Sequence, residues 1–352
     1  MNICFVRHSI RNRGSDRSSL GYAEFLISKG HQVTYYTNEI STSFRYDPRI
    51  QIKRIPWAWP VGTILFTVFK AFEEDVVLVD LVVMAAFAHV RNAAKVIYLA
   101  RDYDESYYRS LMLKALTRVF YHWAIGVCKV PVIACSATLA QKLKKFCPAP
   151  MITVNNGDDM SFFAKNAFTG LVSRGEALKD SVVIVLFVRF DHRKGLDIAL
   201  KALDALQKTP AVKPWVVWMV GDPMKGEPGF PSKHFGFLER GALRDLLVEA
   251  DIFLMASRSE GLSPLLLQAL GCKCALVATT AANIVTHDEN GLLSMVDDWE
   301  GLAEHLKILI NDPIRLKQLK DQGRKLAEQY GWQASCAAFL KAIEELSVPG
   351  ER

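Results

Sequence analysis

Short, continuous aliphatic runs alternate with stretches of helical character along the whole chain. In the first half, such runs predict strands at residues 3–6, 33–37, 50–54, 76–79, 96–99, 132–135 and 152–154. In the second half they predict strands at 182–188, 216–220, 252–255 and 275–278. Because these runs are apolar at nearly every position and helices separate them, they indicate parallel strands covered on both faces. The pattern predicts an α/β protein with two Rossmann-like, doubly wound domains facing a central cleft.

A polar, irregular stretch at residues 155–179 separates the two series of strands. It contains Gly157, Gly170 and Gly175, and no apolar run of strand length. We place the domain boundary there. In doubly wound sheets ligands bind at the carboxyl ends of the strands, so we expect the functional residues in the loops that follow strands.

Composition narrows the class of protein. The chain has 352 residues and a formal net charge of +6, a small excess that does not indicate nucleic acid but suits an anionic substrate or an anionic membrane face. Of the seven cysteines only Cys272 and Cys274 lie close together, and we interpret them as buried thiols of a reducing, cytoplasmic compartment. The N-terminus turns basic after six residues, so no signal peptide is expected. The apolar runs 61–69 and 76–90 are shorter than the roughly 18 residues of a spanning helix, which predicts a protein that is not transmembrane.

Two segments follow strands of the second series and contain residues suited to catalysis. In VRFDHRKGL, residues 188–196, Arg189 ends a strand and Lys194 precedes Gly195 at the start of a helix. Two cations beside a helix N-terminus are typical of a diphosphate site, although a solvated basic turn would show the same sequence pattern. In residues 256–280, Glu260 and Gly261 follow a strand and Pro264 can open a helix. A loop with a capping carboxylate is the alternative interpretation.

Together these segments resemble the GT-B glycosyltransferases of family four, the large retaining group. The matching residues are Arg189, Lys194-Gly195 and Glu260-Gly261, with Gln268 in place of a second Glu. NNGDDMSFF at 155–163, HFGFL at 234–238, ENGLL at 289–293 and the terminal YGWQASCAAFLKAIEEL also resemble family segments. A weaker match, YLARDYDESYY at 98–108, is similar to a segment of bacterial surface-polysaccharide enzymes that include rhamnosyltransferases.

The resemblance implies an acceptor domain over residues 1–165, a donor domain over 180–333, and a last helix over 334–352 that returns to the first domain. It implies a nucleotide-sugar donor, a glycan or lipid-linked acceptor and no nucleic acid partner. Since two cations already neutralise the leaving group, we expect neither a metal nor another cofactor. Arg189 and Lys194 would bind the diphosphate, and Asp102 would orient the acceptor hydroxyl. The other implied contacts are the sugar at Glu260, Gly261, Leu262 and Ser263, the base at Phe237 and Leu238, the ribose at Gln268, and a close-approach glycine at Gly14.

Several positions depart from the family pattern. Gln268 replaces a Glu, Lys273 a Gly, Ala275 a Pro, and Ala282-Asn283 a Gly-Gly. These changes leave open a non-catalytic GT-B-like subunit that binds a partner or glycan. A nicotinamide-dependent enzyme fits only the fold class, because Gly-x-Gly-x-x-Gly is absent after the first strand.

Three further signals have more than one interpretation. Asp102-Tyr103-Asp104 could bind a metal or cap a helix, although we favour an acceptor-orienting role for Asp102. Arg7, His8, Arg11, Arg13 and Arg17 are interpreted as a basic loop for an anionic acceptor or as a merely soluble loop. The predicted helix 107–125 places Lys114, Arg118 and His122 on one stripe. With Trp57 and Trp59 it predicts contact with an anionic membrane surface, whereas a core helix with a solvated face is the simpler interpretation.

Overall fold

The computed structural model describes residues 1–42, 44–56, 60–210, 213–224 and 226–347. The chain forms two compact units. The first comprises Met1–Asn156 and the segment from Gln333, and the second comprises Gly157–Trp332. Trp57 and Trp59, which we named for a membrane surface, lie outside the described residues.

The first unit is built on a seven-stranded sheet. Its strands are β1 Asn2–Arg11, β2 Gln32–Ser41, β3 Gln51–Arg54, β4 Val76–Val79, β5 Val96–Ala100, β6 Val132–Ala134 and β7 Met151–Thr153. Its helices up to the boundary are α1 Gly14–Ser28, α2 Pro60–Phe69, α3 Val82–Asn92, α4 Leu111–Tyr121 and α5 Ala137–Lys144. The strand order is β3-β2-β1-β4-β5-β6-β7, and every pairing is parallel.

The second unit is built on a six-stranded parallel sheet. Its strands are β8 Val182–Val188, β9 Trp215–Gly221, β10 Ser232–His234, β11 Ile252–Met255, β12 Ala275–Thr279 and β13 Leu292–Ser294. Its helices are α6 Leu196–Gln207, α7 Arg240–Glu249, α8 Pro264–Gly271, α9 Trp299–Asn311 and α10 Pro313–Glu328, after which α11 Trp332–Ser347 follows. The order is β10-β9-β8-β11-β12-β13. Apolar side chains cover both faces of this sheet, so the predicted α/β class with two Rossmann-like units is confirmed.

The basic loop that we predicted after the first strand is wrong at both ends. Strand β1 continues to Arg11 because its backbone pairs with β2 through Arg11 and Ser41, beyond the apolar run 3–6. Helix α1 begins at Gly14, so Arg17 lies in the helix and not in a loop. The hydrophobic pattern misses both extensions because most of their side chains are polar.

Helix α11 belongs to the first unit. Its Phe339 is fully buried and stacks on Tyr22, with ring centroids 4.3 Å apart, and Ser335 exchanges a hydrogen bond with the Tyr22 hydroxyl at 2.7 Å. Residues 157–165, which we assigned to the first domain, lie in the second unit because Met160 and Phe163 pack into its core. Among the described helices none is long and apolar enough to cross a bilayer.

Candidate functional site

The strand order of the second unit brings Lys194 and Glu260 together. Strand β8 lies between β9 and β11, so the loops after β8 and β11 diverge at this point of the sheet. Such a switch point leaves a crevice at the carboxyl edge, where doubly wound sheets bind ligands. Lys194 follows β8, Glu260 follows β11, and the two side chains meet there.

Lys194 and Glu260 form a half-shielded ion pair. The Lys194 Nζ lies 2.8 Å from Oε1 and 2.9 Å from Oε2 of Glu260. Ser257 donates its hydroxyl to the same Oε1 at 2.7 Å, which holds the carboxylate in place. The Glu260 side chain is 7 % exposed, but that of Lys194 is 32 % exposed. The ammonium can therefore reach an anion from solvent without leaving its carboxylate.

Arg189 lies at the same edge in a looser arrangement. Its Nη1 is 3.4 Å from Asp222 Oδ1, and its guanidinium carbon lies 5.6 Å from the centre of the Phe237 ring. Asp222 follows β9, and sequence reasoning missed it although it ends a strand as Arg189 does. Phe237 is 55 % exposed, so much of its ring remains open to solvent beside Arg189, whereas Leu238 packs partly against the core.

A glycine permits the close approach of the loop after β8 to β11. Gly195 has φ +61°, and a Cβ there would lie 1.9 Å from the Ala256 carbonyl oxygen. Arg258, in the loop after β11, stabilises this contact through two ion pairs. It pairs with Asp197 of α6 at 2.7 Å and with Asp297 at 2.6 Å. The hydrogen bond from Arg258 lowers the pKa of the Asp197 carboxyl.

The loop from Gly261 to Ser263 leads into α8. Pro264 is the first residue of that helix, as predicted, and the Ser263 side chain makes no capping hydrogen bond. Gly261 and Leu262 are buried. Asn283, one of the departures from the family pattern, donates its side-chain amide to the Gly261 carbonyl and so ties this loop to the segment after β12.

Gln268 is held by residues that sequence reasoning did not connect with it. Its Nε2 donates to Asp158 Oδ2 at 2.6 Å, and Arg240 donates to Asp158 Oδ1 at 2.8 Å. Only 8 % of Gln268 is exposed. One N–H of the Gln268 amide is thus committed to Asp158, and the side-chain oxygen is the acceptor that Gln268 can offer to a ligand.

Local structure accounts for the departure at Lys273. Lys273 has φ +64°, a conformation that favours the glycine it replaces, and its ammonium pairs with Asp321 at 2.8 Å. Cys272 and Cys274 are buried beside it, and all seven cysteines are free thiols. Ala282 is 1 % exposed.

In the first unit the cations we named differ in their roles. Arg7 is buried and pairs with Asp16 and Asp80, each at 2.8 Å. Burial by itself would lower the pKa of the Arg7 guanidinium, but the two carboxylates raise it above its ordinary value. Arg11 is exposed and pairs with Glu39 at 2.6 Å. The basic segment is therefore partly neutralised within the protein.

Asp102 and Asp104 have different surroundings. Asp102 accepts a hydrogen bond from the Tyr107 hydroxyl at 3.0 Å. Asp104 is buried and accepts the Val82 amide at 2.6 Å. Gly14 is exposed at the first position of α1, and its carbonyl accepts the Ser18 hydroxyl. Within the described residues no group of three or more His, Cys, Asp or Glu side chains is arranged to hold a metal ion.

The part of the chain around this site is similar in sequence to known glycosyltransferases. Residues 181–312 match the family model for glycosyl transferases group 1. An uncharacterized glycosyltransferase of Haemophilus influenzae is 23 % identical over 345 residues, covering 90 % of this chain and 92 % of that protein. Sulfoquinovosyl transferase SQD2 of Arabidopsis thaliana is 26 % identical over 239 residues, which are 61 % of this chain and 44 % of its own length.

Solved structures agree with both units. Sucrose-phosphate synthase from Thermosynechococcus elongatus superposes with a TM-score of 0.77 at 14 % identity, covering 98 % of this chain and 99 % of that one. HepE of Anabaena, solved with UDP and glucose, gives 0.74 at 17 % identity over 98 % and 100 % of the two chains. WaaG, a glycosyltransferase of lipopolysaccharide biosynthesis, gives 0.73 at 14 % identity over 99 % and 100 %. The chain thus has the GT-B fold of these structures, and residues 181–312 of its second unit are similar to the glycosyl transferases group 1 family.

Proposed function

We propose that this protein transfers a sugar from a nucleoside-diphosphate donor to a glycan or lipid-linked acceptor, with retention of configuration at the anomeric carbon. The observation that carries the proposal is the pairing of Lys194 with Glu260 at the switch point of the second sheet, with Arg189 at the same edge. This arrangement offers cations to a diphosphate and a fixed carboxylate to sugar hydroxyls.

The residues of this edge divide the work by charge. Lys194 and Arg189 stabilise the diphosphate as the bond between it and the anomeric carbon breaks. Glu260, held by Ser257, accepts hydrogen bonds from the sugar, and the backbone from Gly261 to Ser263 supports it. The acceptor oxygen forms its bond on the same face of the sugar, and its proton passes to the departing diphosphate. The enzyme then needs positioning and charge stabilisation rather than a strong base.

The remaining contacts follow from the same assignment. Phe237 would stack on the base, and Leu238 would support that contact. Gln268 would offer its side-chain oxygen to the ribose. We assign Asp102 of the first unit to the acceptor hydroxyl, since Tyr107 already orients its carboxylate. Gly14, at the exposed start of α1, would let the substrate approach the backbone.

We further propose that transfer needs no metal ion, because two cations are available to neutralise the leaving group. The test is a thermal-shift panel of UDP, GDP and thymidine diphosphate in excess EDTA. A second assay measures the release of the nucleoside diphosphate from the corresponding sugar donors. A ligand that binds only the native state raises the melting temperature. We expect at least one nucleoside diphosphate to do so, and release to continue in EDTA. If none binds, the donor site is misassigned. Loss of this release in EDTA, with rescue by Mn²⁺, would indicate that Asp102 and Asp104 bind a metal ion.

The departures at Gln268, Lys273, Ala282 and Asn283 support one alternative, a non-catalytic GT-B-like subunit that binds a partner or glycan. The same panel separates the two functions. Binding of a nucleoside diphosphate with no turnover of any sugar donor, in the presence of lipid and glycan acceptors, would favour the subunit.

A further inference from the structure

The first unit contains an apolar cavity that the proposed donor chemistry does not use. It has a volume of about 290 Å³ and lies among α2, α3, α4 and the turn before α4. Ligand pockets usually range from about 300 to 1,000 Å³, so this cavity has room for part of one slender ligand rather than for a nucleotide sugar. We call it the α4 pocket. Its apolar lining includes Ile64, Val83, Phe87, Leu113, Leu116 and Phe120.

The polar groups in its wall are masked. Thr117 donates its hydroxyl to the Leu113 carbonyl at 2.8 Å, which satisfies the hydroxyl within α4. Asp104 accepts the Val82 amide at 2.6 Å. Burial raises the pKa of Asp104 to about 8, with Asp80 and Asp102 adding to the effect against hydrogen bonds that lower it. Near neutral pH the wall is therefore largely uncharged, which suits a hydrocarbon ligand.

Helix α4 leaves apolar side chains in solvent around this pocket. Leu111 is 81 % exposed, Met112 75 % and Val119 59 %, while Leu113 and Leu116 both line the pocket and remain exposed. In α4 only Thr117 and Tyr121 are buried. A helix that keeps so many large apolar residues at its surface marks a binding region rather than ordinary packing.

Cations adjoin the same apolar surface. Arg109 follows the lining residue Tyr108, and Lys114 follows the lining residue Leu113. Arg118 lies one turn beyond Lys114 but pairs with Glu105, the nearest carboxylate on the preceding turn. Cations and lining residues thus alternate at the start of α4, a combination that is complementary to a hydrocarbon chain that ends in an anion.

We propose that the α4 pocket binds the hydrocarbon chain of a single phosphorylated lipid, with the phosphate against Arg109 and Lys114. This rests on the proposed function in one respect, that a lipid-linked acceptor is the natural source of such a chain. The cavity volume favours insertion of a chain over simple adsorption of the helix to a bilayer.

The test is titration calorimetry with dodecyl phosphate below its micelle concentration, compared with butyl phosphate and dodecyl maltoside. Val83→Trp fills the pocket, and Val90→Trp adds the same side chain at a position of α3 that is 61 % exposed and outside the lining. We expect dodecyl phosphate to bind the parent and Val90→Trp alike, and Val83→Trp at least tenfold more weakly. Lys114→Gln should weaken dodecyl phosphate severalfold and leave dodecyl maltoside unchanged.

Other results overturn the proposal. Equal affinity of Val83→Trp and the parent would show that the pocket takes no chain, and equal binding of butyl phosphate would show a phosphate site alone. A further outcome is that Val83→Trp adsorbs to anionic vesicles as tightly as the parent and also binds dodecyl phosphate with the affinity of the parent. Helix α4 would then be a bilayer contact only. Leu116→Trp at the pocket mouth replaces Val83→Trp if the latter does not fold. Nucleoside diphosphate binding, measured on the same variants, reports on the donor site independently.

Discussion

The two units place the same kind of pair at the same point of their sheets, yet in different states. In the first unit Arg7 of β1 meets Asp80 after β4, with Nε and Oδ2 2.8 Å apart. In the second, Lys194 after β8 meets Glu260 after β11 at 2.8 Å. Both pairs span the strands at which the order of the sheet reverses.

The difference lies in burial and in the number of partners. The Arg7 side chain is 9 % exposed and pairs with a second carboxylate, Asp16. The Lys194 side chain is 32 % exposed and pairs with Glu260. A doubly paired, buried guanidinium is structural, because a ligand would have to displace two carboxylates. A singly paired, half-exposed ammonium can take an anion, so burial and partner number separate the two roles where residue type does not.

The largest expected effect concerns Arg7. Arg7→Met leaves the buried Asp16 and the partly buried Asp80 without their cation, and breaking a buried pair this way costs about 3–5 kcal/mol of folding free energy. Arg11→Met is the matched control, since the Arg11 pair is 45 % and 43 % exposed and such pairs contribute roughly 0–1 kcal/mol. Melting temperatures of both variants give the comparison. If Arg7→Met lowers the melting temperature no more than Arg11→Met does, the Arg7 ion pairs are not structural and the contrast with Lys194 fails.

Asp104 extends the comparison to a buried carboxyl with no salt-bridge partner among the described residues. Its pKa is raised to about 8, so the unfolded chain ionises first as pH rises from about 4. The parent should therefore lose stability relative to Asp104→Asn as the pH rises from about 4 towards 8, and the difference between the two should be smallest near pH 4. Urea unfolding midpoints at pH 4, 6 and 8 measure this. A difference that does not change with pH would mean that Asp104 is ionised in the folded protein.

The smallest expected effect concerns the amide at Gln268. Gln268→Glu introduces a carboxylate, which should bind the ribose hydroxyls more tightly than the amide does. In the single variant much of that gain would be lost, because two carboxylates would repel each other where the Gln268 nitrogen and the Asp158 oxygen are now 2.6 Å apart. Combining it with Asp158→Asn keeps a hydrogen bond and should tighten UDP by about 1 kcal/mol, somewhat less than tenfold. Thymidine diphosphate, which has one ribose hydroxyl fewer, should gain less, and we predict that the parent tolerates it relatively well. Equal UDP affinities of the single and double variants would show that Asp158 does not restrain position 268.

Apolar runs were sufficient to predict the central strands, because burial on both faces leaves no polar position in them. Strands β10 and β13 were missed, since each has three residues and β10 is exposed and polar. The positions of Arg189, Lys194 and Glu260 followed from their places after strands. Asp158 could not be connected with Gln268, because 110 residues separate them and only the packing of the segment after Asn156 against α8 brings them together. Likewise, sequence could not distinguish Arg7 from Lys194, since their partners come from distant strands.

The most direct test of the central claim is calorimetric titration of UDP and UMP into the parent, Lys194→Ala and Lys201→Ala. Lys201 is an exposed lysine of α6 with no ion pair among the described contacts, and serves as the matched control. The account predicts that Lys194→Ala weakens UDP by about 1.5–3 kcal/mol, roughly ten- to a hundredfold, because a charge-assisted contact to the second phosphate is lost. UMP should change far less, and Lys201→Ala should bind both as the parent does. Unchanged UDP affinity in Lys194→Ala, or an equal loss for UDP and UMP, would contradict a diphosphate site at Lys194 and Glu260.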